Sequence, residues 1–296
     1  FDCKHTDSKV RSTVLREGMM EVRYSPDQQS YRTMTNEELR KHFLIESLFR
    51  EDEIPMVYSD IDRSITGSAV PVGKSLRLLA SKKEMAAEFF LERREMGIIN
   101  IGAPGEVTVD TKSFTLNYRD CLYIGRGART VEFSSADGKS PARFYFVSFP
   151  AHATYPTTLA RFSDAEAVRL GSQAEANRRT IYKYIHPSGI KSCQLVMGLT
   201  ELESGSVWNT MPPHTHQRRS EIYLYFALPE NSIVVHLMGE PAETKHLIVR
   251  NGQAVLSPSW SIHCGAGTGN YSFIWAMGGE NQDFDDMDWV PLASLW

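Results

Sequence analysis

The chain has few cysteines, no C-x-x-C pair, no long apolar run and little net charge, and each shortage removes a class of protein. Its four cysteines, Cys3, Cys121, Cys193 and Cys264, are scattered through 296 residues. Without paired spacing they offer neither a disulfide framework nor a thiolate metal knuckle, and they read as reduced, mostly buried thiols. No apolar stretch approaches the ~18–20 residues of a spanning helix, and no secretory signal is visible. A cytoplasmic protein with no membrane role is therefore expected, and the Asn270-Tyr271-Ser272 sequon reads as chance. A net charge of −4 supplies no basic footprint for nucleic acid.

What the chain does have is a packable composition, 42% hydrophobic and 10% aromatic, in a length that suits one or two domains. Its most informative segment is Pro213-His214-Thr215-His216-Gln217-Arg218-Arg219-Ser220-Glu221, followed by Pro258-Ser259-Trp260-Ser261-Ile262-His263. On a strand His214 and His216 share one face, roughly 7 Å apart, and can reach one ion. Glu221 lies at an odd offset from them, so a turn or bulge within residues 217–220 must re-aim the chain. The next run, Glu221 to Phe226, alternates Glu221, Tyr223 and Tyr225 with Ile222, Leu224 and Phe226. The polar set is expected to line a metal cavity and the apolar set to pack the wall. His263, on a neighbouring strand, closes a set of three imidazoles and one carboxylate. Such donors suit zinc, and equally manganese, iron, nickel or cobalt. Positions left open for water or substrate mark a catalytic rather than a structural site.

Short β-type runs separated by Gly or Pro predict an all-β protein. The runs Met56–Tyr58, Ile98–Ile101, Glu106–Val109, Cys121–Ile124, Thr130–Phe133 and Arg143–Val147 form one half, and those from Gln194 to Met277 a second. Asn36–Phe43 reads as a short capped helix, and Ser163 as an N-cap opening another. The expected organisation is an arm over 1–40, a barrel over 41–150, a crossover linker over 151–192 and a metal-binding barrel over 193–296, with a single large sandwich as the alternative. The halves suggest a duplication. Laying Gly125–Thr130 over Pro258–His263 puts Thr130 in the place of His263. The first half has no H-x-H, so its barrel is expected to lack metal.

The two histidine segments resemble the two motifs of the cupin superfamily, and the resemblance implies an all-β fold of two tandem cupin (double-stranded β-helix, jelly-roll) barrels with few short helices. Longer matches narrow this. Leu91–Gly102, Pro150–Thr157, Asn177–Tyr184, Trp208–His216, Ser257–His263 and Phe273–Asp288 resemble the 5-keto-4-deoxyuronate isomerase (4-deoxy-L-threo-5-hexosulose-uronate ketol-isomerase) family from about residue 40 onward. The resemblance implies one zinc per subunit on His214, His216, Glu221 and His263, and a homo-hexamer. It also implies conversion of the keto-deoxyuronate to 3-deoxy-D-glycero-2,5-hexodiulosonate in pectin breakdown.

An aldose–ketose shift needs a Lewis acid for the carbonyl and hydroxyl oxygens and a base for the proton on carbon 2. Glu221 is the first candidate base and Glu203 the second. Tyr223 can donate to a substrate oxygen, and Lys183 is the remaining catalytic candidate, by Schiff-base chemistry that a metal makes unnecessary. The substrate carboxylate needs a cation: Arg178 and Arg179 form a compact set with Lys183, and Arg218 and Arg219 stand between the ligands. His236 and His246 read as hydrogen-bonded wall residues, His186 as partnerless, and the acidic run Asp283–Asp288 as a tail wrapping the barrel. Three rivals remain: a cupin oxygenase on redox-active iron or copper, a sugar-acid binder, and an isomerase of other sugars.

Overall fold

A computed structural model describes residues 20–80 and 82–296; Cys3 and the first nineteen residues of the expected arm lie outside them. Among the described residues, four stacked sheets enclose three apolar layers, and a two-stranded ribbon of His214–Thr215 and Asp288–Trp289 lies beside them. The N-terminal barrel pairs a seven-stranded sheet, in the order Glu21–Arg23, Met56–Ser59, Ile65–Ala69, Phe144–Pro150, Arg94–Asn100, Cys121–Ile124 and Thr158–Ala160, with a four-stranded one. The smaller sheet runs Leu76–Arg77, Val131–Ser135, Gly105–Val109 and Lys112–Leu116. The C-terminal barrel repeats the plan. Its large sheet runs Glu166–Leu170, Arg179–Ile185, Val196–Leu202, Ser272–Gly279, Arg219–Phe226, Ala254–Ser257 and Leu44–Ile45. Its small sheet runs Trp208–Asn209, Ile262–Gly267, Val234–Glu240 and Glu243–Val249.

The two large sheets lie back to back, which is why their strands read as apolar on both faces. Along Arg219–Phe226, Ile222, Leu224 and Phe226 join the layer between the barrels, packed with Ile99, Tyr145, Val147 and Phe149. The alternate residues Tyr223 and Tyr225 face the C-terminal lumen with Phe273, Trp275 and Met277. The apolar face of this strand therefore packs against the other barrel. Two-residue periodicity splits one strand between two cores.

The barrels also exchange edges. Leu44–Ile45, from the N-terminal side, pairs with Ala254–Val255, while Thr158–Ala160 pairs with Cys121–Tyr123. The helix Asn36–Phe43 begins as expected, with Thr35 and Glu38 forming a reciprocal capping box. Together with Gln28–Thr33 it packs on the C-terminal barrel, where the Tyr31 hydroxyl donates to the carbonyls of Met238 (3.0 Å) and Glu243 (3.2 Å). The stretch 151–192 carries three strands as well as the connection. Beyond Ser163, where a helix is expected, Glu166–Leu170 is instead a strand in full register with Arg179–Lys183; non-local pairing outweighs the local cap signal. No helix of the described residues is long and apolar enough to cross a membrane.

Candidate metal centre

His214 lies on a two-residue strand, His214–Thr215, and His216 follows it directly. Gln217 and Arg218 form the turn required by the odd offset, closed by the Arg219 amide on the His216 carbonyl (3.3 Å). Glu221 then enters the large sheet, and His263 faces it from the small sheet, paired to Met238. All four side chains are buried, and one donor atom from each lies within 4.8 Å of the others.

The Nε2 atom of His214 is 3.0 Å from that of His216 and 3.1 Å from that of His263. A Glu221 oxygen stands 3.1 Å from His216 Nε2 and 2.7 Å from His263 Nε2. His216 Nδ1 lies 2.7 Å from the Asp286 carbonyl, and His263 Nδ1 lies 3.3 Å from the Ser261 carbonyl. A carbonyl can only accept, so both Nδ1 atoms carry the proton and both Nε2 atoms turn lone pairs inward. With the carboxylate, three lone-pair donors converge, and one proton on His214 cannot satisfy them all. A cation can. Donors about 2.1 Å from one ion sit about 3.0 Å apart at right angles and about 3.4 Å apart at tetrahedral angles. The observed separations of 2.7–3.1 Å are of the order that one shared ion requires. The four residues thus fit a metal ion.

The electrostatics agree. Burial, with His263 and His216 alongside, pushes the His214 imidazole down to about 2, so it stays a neutral ligand. Burial alone would raise the Glu221 carboxyl, but positive charge in the cluster, carried by protonated His263 and His216 when no ion is bound, outweighs it and holds it well below the usual carboxylate range. Burial, reinforced by the Glu221 charge, raises the Tyr223 hydroxyl far above its ordinary value, so it remains a donor; it lies 3.0 Å from the Thr210 hydroxyl.

The structure separates the candidate cations. Arg178 is exposed and paired with Glu203 (3.1 Å), which also occupies the second candidate base at the surface. Lys183 is paired with Glu166 (3.0 Å) and lies over the Phe284 ring (4.5 Å). Arg218 meets Asp286 and Asp288 at the surface. Arg219 is buried beneath the segment 283–286 and donates to its carbonyls, out of a ligand's reach. Arg179 differs from all of them. It shares a strand face with Ile181, which packs into the C-terminal lumen, and it interacts electrostatically with Tyr223 and Tyr271. Its one acceptor among the described residues is the Asn177 carbonyl (2.8 Å).

His236 is buried and bonded to the Tyr225 hydroxyl (2.7 Å). His246, expected in the wall, is exposed, and His186, expected without a partner, faces Glu166 at 3.5 Å. Sequence reasoning missed Thr210 and the carbonyl of Asp286, the first because a lone threonine has no signature and the second because backbone acceptors have none.

Fold and site together define a two-barrel cupin with a three-histidine, one-glutamate candidate centre in its second barrel. A model of the KduI/IolB family matches residues 43–291. The 4-deoxy-L-threo-5-hexosulose-uronate ketol-isomerase of Caldicellulosiruptor bescii is 55% identical over 276 residues, 93% of this chain and 100% of that protein. The protein of the same name from Lachnoclostridium phytofermentans is also 55% identical with the same coverage, and that of Enterobacter sp. is 50% identical over 277 residues. Among solved structures, an IolB-like protein of Salmonella typhimurium superposes with a TM-score of 0.67 at 14% identity, covering 84% of this chain and 97% of that one. Bacillus subtilis oxalate decarboxylase, studied for its Mn(II) centres, gives 0.53 at 10% identity over 74% and 69%; both show the fold alone. The chain belongs to the KduI/IolB family, and within it to the ketol-isomerases, enzymes that are intramolecular oxidoreductases.

Proposed function

We propose that the C-terminal barrel isomerises 4-deoxy-L-threo-5-hexosulose uronate to 3-deoxy-D-glycero-2,5-hexodiulosonate, with one zinc ion on His214, His216, Glu221 and His263. The observation that carries this reading is the convergence of three lone-pair donors that a single proton on His214 cannot satisfy. Zinc supplies the Lewis acidity this internal redox shift needs without redox chemistry of its own, and the same donors suit manganese, iron, nickel or cobalt. The ion would supply Lewis-acid stabilisation of the carbonyl and adjacent hydroxyl oxygens.

The chain's own residues supply the rest. The proton on carbon 2 moves to carbon 1, and the hydroxyl proton on oxygen 2 moves to oxygen 1, through an enediol; no atom enters or leaves. Glu221 is the only carboxylate of the cluster, so it takes and returns the carbon-bound proton. Its depressed basicity makes it a weak base, which the substrate's own acidification must offset. Tyr223, protonated at every working pH, donates to a substrate oxygen. Arg179 receives the carboxylate at the far end of the six-carbon chain, being the lumen cation with no acid partner among the described residues. Lys183 and Arg218 are held by acids and serve the walls of the site. The exposed apolar residues Val22, Tyr24, Trp289, Leu292 and Trp296 fit burial in a homo-hexamer, and dispersed thiols fit the cytoplasm.

The test is conversion of the monomer released by pectate lysis, followed by NMR on metal-quantified protein, beside His216→Ala. Hexodiulosonate that appears with the metallated protein and vanishes in the variant supports the reading. A fully metallated protein that makes none overturns it.

A further inference from the structure

We infer that Arg219 is a positioning residue for the metal centre, acting through the backbone carbonyl that sets the His216 tautomer. This rests on the metal reading of the site. His216 can turn Nε2 to an ion only while Nδ1 keeps its proton, and the group that holds that proton is the Asp286 carbonyl at 2.7 Å. Asp286 sits in an irregular segment between the strands Ser272–Gly279 and Asp288–Trp289, so no ladder fixes its carbonyl.

Arg219 does. Its Nη2 lies 3.2 Å from the Asp286 oxygen and 3.3 Å from that of Phe284, and its Nη1 donates to Asp283. The guanidinium is buried and takes no carboxylate among the described residues, so these carbonyls are what offset its desolvation. It stands three residues after His216 and two before Glu221, on the strand that carries the latter. The same segment reaches His214: Asp288–Trp289 pairs with His214–Thr215, and the Trp289 ring meets the His214 ring edge-on at 5.3 Å. Two of four ligands are thereby tied to one strap, and Arg219 is its buried rivet. An outer contact, the Arg218 fork on the Asp286 carboxylate, holds the strap from the solvent side and leaves the backbone carbonyl that faces His216 untouched.

A merely structural arginine would alter stability and leave the metal affinity of folded protein unchanged. The experiment therefore measures Co2+ and Zn2+ affinity by competition with a chromophoric chelator, and the Co2+ absorption spectrum, in wild type, Arg219→Met, Arg219→Lys and Arg218→Ala. The expected result is affinity about 10–100-fold weaker in Arg219→Met with an altered Co2+ spectrum. Partial recovery is expected in Arg219→Lys, and a change under about threefold in Arg218→Ala. Wild-type affinity and spectrum in Arg219→Met overturn the assignment, as does an equal loss in Arg218→Ala. If Arg219→Met does not fold, 15N-histidine NMR of the unsubstituted protein decides. His216 protonated at Nδ1 without metal supports a preset tautomer; protonation at Nε2 overturns it. Failure of wild type itself to bind either ion is a separate result that removes the metal reading.

Discussion

In the N-terminal barrel the strand Arg94–Asn100 turns Met96 and Ile98 into the lumen; in the C-terminal barrel the matching strand turns in Glu221 and Tyr223. The register fixes the correspondence. Met96 pairs with Ile124 and Glu221 with Ser257, the last residues of equivalent strands. On the small sheets, Phe133 pairs with Val107 and His263 with Met238, each partner two residues before its hairpin end. Leu91 stands three residues before the buried Arg94, as His216 stands before Arg219. Leucine, methionine and phenylalanine thus occupy the places of three ligands, and Phe133 stacks on Phe146 and tilts against Phe144 where the other barrel gathers imidazoles. One scaffold supports either an apolar plug or a polar site, because the strand ladder depends on backbone pairing and leaves the lumen face free to vary.

The largest effect should come from making the second barrel like the first. Glu221→Met with His263→Phe should abolish metal binding, measured by elemental analysis, and lower turnover by about 10³-fold or more. Retained activity would mean that the reaction lies elsewhere. Next is the seam between the barrels. Glu95 is buried and accepts from the Tyr123 hydroxyl (2.7 Å) and the amides of Cys193 (2.7 Å), Gln194 (2.9 Å) and Leu195 (2.9 Å). Glu95→Ala should cost about 3–5 kcal/mol in denaturant unfolding. Ser220→Ala, at the equivalent place in the other barrel, should cost no more than about 1 kcal/mol. Equal costs would show that the seam is symmetric after all.

A smaller effect separates the neighbouring arginines. Arg179→Met should lower kcat/KM by a factor of about 10–150, the value of a charge-assisted hydrogen bond, whereas Arg178→Met should stay within about twofold. The reverse order would place the substrate carboxylate outside the lumen. A graded effect is acid sensitivity. Burial pushes the His236 imidazole down to about 3, while an unfolded histidine binds its proton near 6.5. Between those values the unfolded state holds more protons, so stability is lost as pH falls from about 6.5 toward 3, by up to about 1.4 kcal/mol per unit. Register places Gly105 at the equivalent position in the first barrel, and glycine has no side chain to titrate. Hydrogen exchange near pH 5 should show Val234–Glu240 losing protection before Gly105–Val109; simultaneous loss would contradict this.

The sequence made legible what is local or periodic. The helix Asn36–Phe43 could be read because its capping box lies within four residues, and Cys121–Ile124 because β-branched and aromatic residues fall between turns. His214, His216, Glu221 and His263 could be read as a set because strand geometry constrains which neighbours share a face. Non-local choices could not be read. The exchange of edge strands has no local signal, and neither does the pairing that turns Glu166–Leu170 into a strand. Placing Thr130 over His263 missed by three residues because the connection after Gly125 is that much longer than the one after Pro258; the strand register selects Phe133. Arg178 and Arg179 look alike in one dimension, and only the strand that begins at Arg179 separates them.

The central claim is that one metal ion, in the second barrel alone, carries the isomerisation. The most direct measurement is titration of zinc into metal-free protein with turnover and bound metal read together. Activity should rise in proportion to bound metal and plateau at one equivalent per chain. Activity without metal, or a plateau only at two equivalents, would contradict it.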